Sequence, residues 1–234
     1  MSTFRNTARH IVPVAALATC VLAGRAEAAP ISWGAAQNIS GDADVATTGT
    51  LVGALNIGGP GVANTTVNGT TFTGLGLSGT SVTSGQFTFA SAAGFGSNNN
   101  VGSTLAPFAA LSLSYQSLLS SVAGNAAPSP FTLTIAGLSV GHQYEFEFWA
   151  NDSSLAANFV TTATATNSIS LGSNPAGSGG GVGQFGISTF TADVSNEVIS
   201  FNSTNEPFLD GLQLRDITPT AVDRFTIVRT IGRQ

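Results

Sequence analysis

Phe131-Thr132-Leu133-Thr134-Ile135, followed after a turn by Tyr144-Glu145-Phe146-Glu147-Phe148-Trp149, is the stretch that decides the fold. Apolar and polar side chains alternate through both runs. A period of two belongs to an extended chain with one face in a core, because successive side chains of a strand point to opposite sides. Taken as neighbours, the runs predict a hairpin through Ser139-Val140-Gly141-His142. Phe146 and Phe148 would then point inward, and Glu145 and Glu147 would share a wet face.

The same period extends in both directions. Downstream, strands are expected at Phe159 to Ala165, Phe185 to Ala192, Val198 to Phe201 and Leu209 to Ile217. Upstream, Ile31 and Trp33 open a strand, Thr50 to Ile57 gives another, and Ser81 to Ala90 alternates again. Thr65 to Val67 and Thr70 to Phe72 flank Asn68-Gly69, a pair that supplies the two positive φ angles of a type I′ hairpin. One segment changes period: Phe108, Leu111, Tyr115, Leu118, Leu119 and Val122 recur at spacings of three and four, which places them on one helical face. The pattern predicts an all-β, antiparallel β-sandwich with one short amphipathic helix, a single domain over residues 29–217.

The chain is 8% charged, with 28 Gly and 15 Phe. Low charge, many aromatics and regular alternation favour a folded β protein over disorder. At the start, Arg5 and Arg9 precede the apolar run Ile11 to Gly24 and the small-residue exit Ala26-Glu27-Ala28. This is the pattern of a secretory signal peptide over residues 1–28, and it predicts a secreted or cell-surface product. Loss of that segment would move the formal charge from −5 to −7, since Arg5, Arg9, Arg25 and Glu27 leave with it. It would also remove Cys20, the sole cysteine, and with it any disulfide. No lysine occurs, and the arginines beyond the signal are Arg215, Arg224, Arg229 and Arg233. Nucleic acid and anionic lipid are thereby excluded as main partners, because both need a spread of cationic side chains. Residues 218–234 are expected as a tail, with no second apolar segment to act as a membrane anchor.

Candidate sites are sparse. Gly74-Leu75-Gly76-Leu77-Ser78-Gly79 matches the dinucleotide fingerprint in letters, but a strand pattern follows it where that motif needs a helix N-terminus. Asp42 and Asp44 could offer hard oxygen ligands to Ca²⁺, or could cap their own turn; no other cofactor is expected. Glu145 and Glu147, with a distant partner such as Asp210, could form the carboxylate pair of a polysaccharide hydrolase. His142, in a tight turn, lacks a nucleophile motif beside it. Trp149, Asn151 and Asp152 are the candidates for carbohydrate contact, through an aromatic face and polar groups at a strand end. The favoured function is a non-catalytic protein that binds extracellular polysaccharide or matrix components.

Gly137-Leu138-Ser139-Val140-Gly141-His142-Gln143-Tyr144 resembles the tyrosine corner of fibronectin-type sandwiches, in which the hydroxyl bonds back to the chain. More widely, Ile31-Ser32-Trp33, the run Asn38 to Val45, Gly49-Thr50-Leu51-Val52, Phe148-Trp149-Ala150-Asn151-Asp152 and Asp210-Gly211-Leu212-Gln213-Leu214-Arg215-Asp216 resemble exported bacterial β-sandwich proteins of the PEP-CTERM-associated type. The resemblance implies a jelly-roll or galactose-binding-like sandwich outside the cell. This chain departs from it after Ile217, where no Pro-Glu-Pro motif follows.

Overall fold

The computed structural model describes residues 30–124 and 129–219. The expected signal segment, and the expected tail beyond residue 219, lie outside them. In chain order the first half carries β1 (Ser32–Trp33), β2 (Gln37–Asn38), β3 (Thr50–Gly58), β4 (Thr65–Val67), β5 (Thr70–Gly76), β6 (Ser81–Ser84), β7 (Phe87–Ser91), β8 (Gly96–Asn98) and helix α1 (Leu113–Leu119). The second half carries β9 (Val122–Gly124), β10 (Phe131–Ile135), β11 (Gln143–Ala150), β12 (Val160–Thr164), β13 (Ser168–Gly172), β14 (Gln184–Thr191), β15 (Glu197–Asn202) and β16 (Gly211–Asp216).

Two sheets pack face to face. One runs β1-β14-β11-β16-β3-β5-β4, with β2 also paired to β14, and the other β13-β12-β15-β10-β7-β6. Pairing is antiparallel except between β3 and β5, which run parallel. Inward side chains of both sheets form one core, where Phe148 of the larger sheet meets Phe201 of the smaller edge to face at 5.4 Å. The all-β sandwich with one short helix is therefore the architecture of the chain.

Several local expectations hold. Asn68 and Gly69 have φ of 46° and 77°, as a type I′ turn between β4 and β5 requires. The Tyr144 hydroxyl accepts a hydrogen bond from Ser139 N at 2.9 Å, closing the tyrosine corner. The helix is shorter than its apolar face suggested. Phe108 sits in a separate 3₁₀ turn, Ser112 caps α1 by accepting from Tyr115 N, and Val122 already belongs to β9. The run Ser81 to Ala90 is a hairpin rather than one strand, turning at Gly85, whose φ is 57°.

The central expectation is corrected. β10 and β11 are not partners: β10 lies between β7 and β15, and β11 between β14 and β16, in the opposite sheet. The turn with the tyrosine corner crosses between sheets. Nor is the Glu145/Glu147 face wet throughout: Glu147 is buried, while Glu145 is half-buried next to the exposed Gln143. A second apolar cluster, built on Phe72, Trp149 and Phe185 from the sheet and Phe108, Tyr115, Leu118 and Leu119 from above, covers the outer side of the larger sheet. Around Glu147 and Trp149 the sheet is buried on both faces, whereas Gln143, Thr189 and Thr191 at the other end of that face are exposed.

The outward face of the smaller sheet has the opposite character. Thr83, Thr88, Thr132, Thr134, Thr162 and Thr164 alternate with the buried phenylalanines and leucines, and no residue facing outward along these strands is charged. Thr83 and Thr88 pair their hydroxyls across strands at 3.0 Å, as do Thr162 and Ser170 at 2.8 Å.

Candidate functional site

Two places collect polar chemistry. The first lies under a strap, residues 42–48, that crosses the outer face of the larger sheet. Polar contacts hold it there: Arg215 Nε and Nη2 donate to the Thr48 and Thr47 carbonyls at 2.8 and 3.0 Å, Gln213 Nε2 to Ala46 O at 3.0 Å, and Asn68 Nδ2 to Val45 O at 2.9 Å. Beneath it, Glu147 is fully buried, with Oε2 accepting from Gln213 Nε2 and Ala46 N and Oε1 unpaired among the described residues. Burial pushes its carboxyl up to about 8; those two hydrogen bonds pull it down, and Glu145 and Asp44 add to the rise. Glu147 is thus protonated at neutral pH.

The strap also takes in Asp42 and Asp44. Asp44 accepts from Ser40 N, Ser40 Oγ, Gly41 N and the Tyr115 hydroxyl, and Asp42 from Ser112 Oγ at 2.6 Å. Both serve as turn and cap acceptors, and among the described residues no group of three His, Cys, Asp or Glu could hold a metal. Trp149 is fully buried here, donating Nε1–H to Tyr115 Oη at 2.9 Å and flanked by Phe72 and Phe185. Its ring faces are used by the core and are closed to a sugar. Glu147 and Asp210 do not come together either. The ladder sets Gly211 opposite Trp149, so strand alternation turns Asp210 to the inner side while Glu147 points to the outer. His142 stays in its turn, with Nδ1 2.6 Å from Asp216 Oδ2.

The second place is an open cavity of about 310 Å³ at one end of the sandwich. Its wall on one side is the two-stranded ribbon β8–β9, and on the other the segments that follow β11 and β15. The close fit is built in at Gly124, where any Cβ would stand 1.9 Å from Pro207 O. Phe159 and Phe208 stack at 5.1 Å and 26° and, with Val101 and Val122, give an apolar lining. Thr161 Oγ1 fixes Phe208 by accepting from its N at 2.6 Å and donating to its O at 3.2 Å. Asn98, Asp152 and Glu206 supply the polar groups.

Of the predicted carbohydrate contacts, Asp152 alone lines this cavity. Asn151, its neighbour, is fully buried and its side chain is spent on the chain itself, donating to Leu119 O and accepting from Gly183 N. Its backbone N–H serves Asp210 Oδ2 at 2.7 Å. Phe159, Phe208 and Glu206 were not singled out from the sequence. They come from separate segments, and their one local sign is an acid in the loop Asn205-Glu206-Pro207.

No protein-family profile matches the chain, and no curated protein matches it. Among solved structures it is similar to β-glucuronidase 2 of Bacteroides uniformis, at a TM-score of 0.46 and 15% identity, over 70% of this chain and 18% of that one. It is also similar to an exo-β-1,3-galactanase from Phanerochaete chrysosporium, at 0.30 and 15%, over 62% and 30%. A third is a carbohydrate-binding module of the β-sandwich superfamily, at 0.18 and 12%, over 60% and 66%. The chain spans less than a third of the length of either enzyme. The structural neighbours are thus glycoside hydrolases and a sugar-binding module, and the sugars they take are theirs.

Proposed function

We propose that this chain is an exported, non-catalytic β-sandwich that binds extracellular polysaccharide in the cavity beside β8–β9. One observation carries the reading: Phe159 and Phe208 stack in the wall of a cavity of about 310 Å³ that Asp152 and Asn98 also line. Such a site suits a sugar ring, whose C–H face covers apolar surface while its hydroxyls seek carboxylate and amide partners. The volume is at the small end of the range for ligand sites, about 300 to 1,000 Å³, and admits about one ring. A binding role fits the placement of the acids better than catalysis does, since Glu147 is sealed beneath the strap, on the side of the sheet away from Asp210. Affinity electrophoresis of the chain through neutral, acidic and amino polysaccharides tests it. Retardation in at least one gel, lost in Phe159→Ala, is the expected result; no retardation in any gel overturns the reading.

A further inference from the structure

We infer that residues 42–48 are a strap released by rising pH: neutral Glu147 lets it lie on the larger sheet, and ionised Glu147 lifts it and uncovers the apolar cluster around Trp149. The strap is a light cover. Val45, 1% exposed, is its buried apolar anchor in the cluster of Phe72, Tyr115 and Trp149, whereas Ala43, Thr47 and Thr48 are exposed. At its centre Ala46 donates its N–H to Glu147 Oε2 at 3.2 Å and accepts from Gln213 Nε2 at 3.0 Å, and that same Nε2 donates to Glu147 Oε2. Glu147, Gln213 and Ala46 thus close one ring of hydrogen bonds under the strap.

An ionised Glu147 does not suit this arrangement. Both donors fall on Oε2, and Oε1 is buried with no partner among the described residues. Among those residues, the charged and titratable groups on the elements packed against it are Glu145 on β11, Asp42 and Asp44 on the strap, Tyr115 on α1 and Arg215 on β16. Glu145 and Asp44 both disfavour a further negative charge at Glu147. Burial holds the Tyr115 hydroxyl well above its ordinary value, so it stays neutral and donates to Asp44. Arg215 serves the Thr47 and Thr48 carbonyls and opposes the rise that burial causes in Glu145. A buried carboxylate without full pairing is costly, and admitting water relieves it. β11 is the harder element to move, being bonded along both edges, to β14 and β16. Lifting the strap gives up only the Val45 contact and hydrogen bonds that water replaces.

Under the strap the Glu147 carboxyl titrates at about 8, raised by burial; opened to water it returns to an ordinary 4.5. The opening constant therefore rises about tenfold per pH unit between those values and levels off above them. Hydrogen exchange of the full chain at pH 5, 6, 7, 8 and 9, corrected for the rate of free amides, reads it at the amides of Asp44, Val45 and Ala46 beside those of β11 and β16. From pH 5 to 8 the strap amides are expected to lose protection about thousandfold while staying less protected than the sheet, and Glu147→Gln should reduce the loss to less than about tenfold. Val45→Ala, which leaves Glu147 in place, should raise strap opening about tenfold at every pH with the slope of the natural chain, so the coupling is still read if the glutamine variant does not fold. Strap protection that is independent of pH in the natural chain, or an equal slope in Glu147→Gln, overturns the switch. Equal protection of strap and sheet amides at every pH also overturns it, because the strap would then open only with the whole fold.

Discussion

Glu147→Gln should convert a pH-sensitive fold into a less sensitive one. The glutamate is fully buried under the strap, and burial raises its carboxyl from an ordinary 4.5 to about 8. The folded state therefore holds the proton more tightly than the unfolded chain. Its stabilising contribution is complete below about pH 4.5, shrinks as pH rises, and is gone once pH passes 8. With about 1.4 kcal/mol per unit, the loss from this one group is about 3 kcal/mol by pH 7 and about 5 kcal/mol above pH 8. Glutamine keeps the shape and an oxygen for Gln213 Nε2 and Ala46 N, and has no proton to lose. Its amide NH₂ would replace the unpaired Oε1, a cost that is the same at every pH. Burial also raises Glu197 and Asp210, which give both proteins a slope of the same sign that cancels in the difference. Unfolding is to be measured by calorimetry at pH 4, 5.5, 7 and 8 at one ionic strength. From pH 4 to 7 the variant should gain about 3 kcal/mol on the natural chain, or about 6 to 12 °C in midpoint for a domain of this size. A difference that stays constant over that range would refute the buried-proton account.

Tyr115→Phe removes the hydroxyl that joins Trp149 Nε1–H to Asp44, leaving a buried indole donor unpaired; it should cost about 2 kcal/mol by denaturant unfolding. Gly124→Ala places a methyl 1.9 Å from Pro207 O, so the ribbon or the loop must move; sugar retardation should be lost and the calorimetric midpoint lowered. Arg215→Met keeps the packing of the side-chain stem but withdraws the donors to Thr47 and Thr48, and protection of strap amides in hydrogen exchange should fall while the β11 and β16 amides stay protected.

Period-two alternation exposed most strands, and Asn68-Gly69, the Tyr144 corner and the Tyr115/Leu118/Leu119 stripe each announced a local geometry that is present. Sheet membership was not legible. Alternation in β10 and β11 fixes which side chains point inward, but that pattern is the same whether consecutive strands pair or cross to the opposite layer. Glu145 and Glu147 read as a solvated face for a similar reason. Nothing in β11 signals that a strap about a hundred residues earlier in the chain, made of small residues with Val45 as its buried apolar contact, will lie over them. The cavity was half legible. Asp152 stood out as an acid at a strand end, whereas Phe159 and Phe208 gain meaning only when Thr161 and the β8–β9 ribbon bring them together.

The charge-free outer face of the smaller sheet sets up a contrast in ionic strength. Ions screen attraction between opposite charges over about 10 Å at 0.1 M, and they have little to screen where the side chains facing outward are uncharged. Association through the threonine face would therefore persist in molar salt. A sodium chloride series on a complex of this protein thus reports whether that face or a charged surface elsewhere is holding the partner.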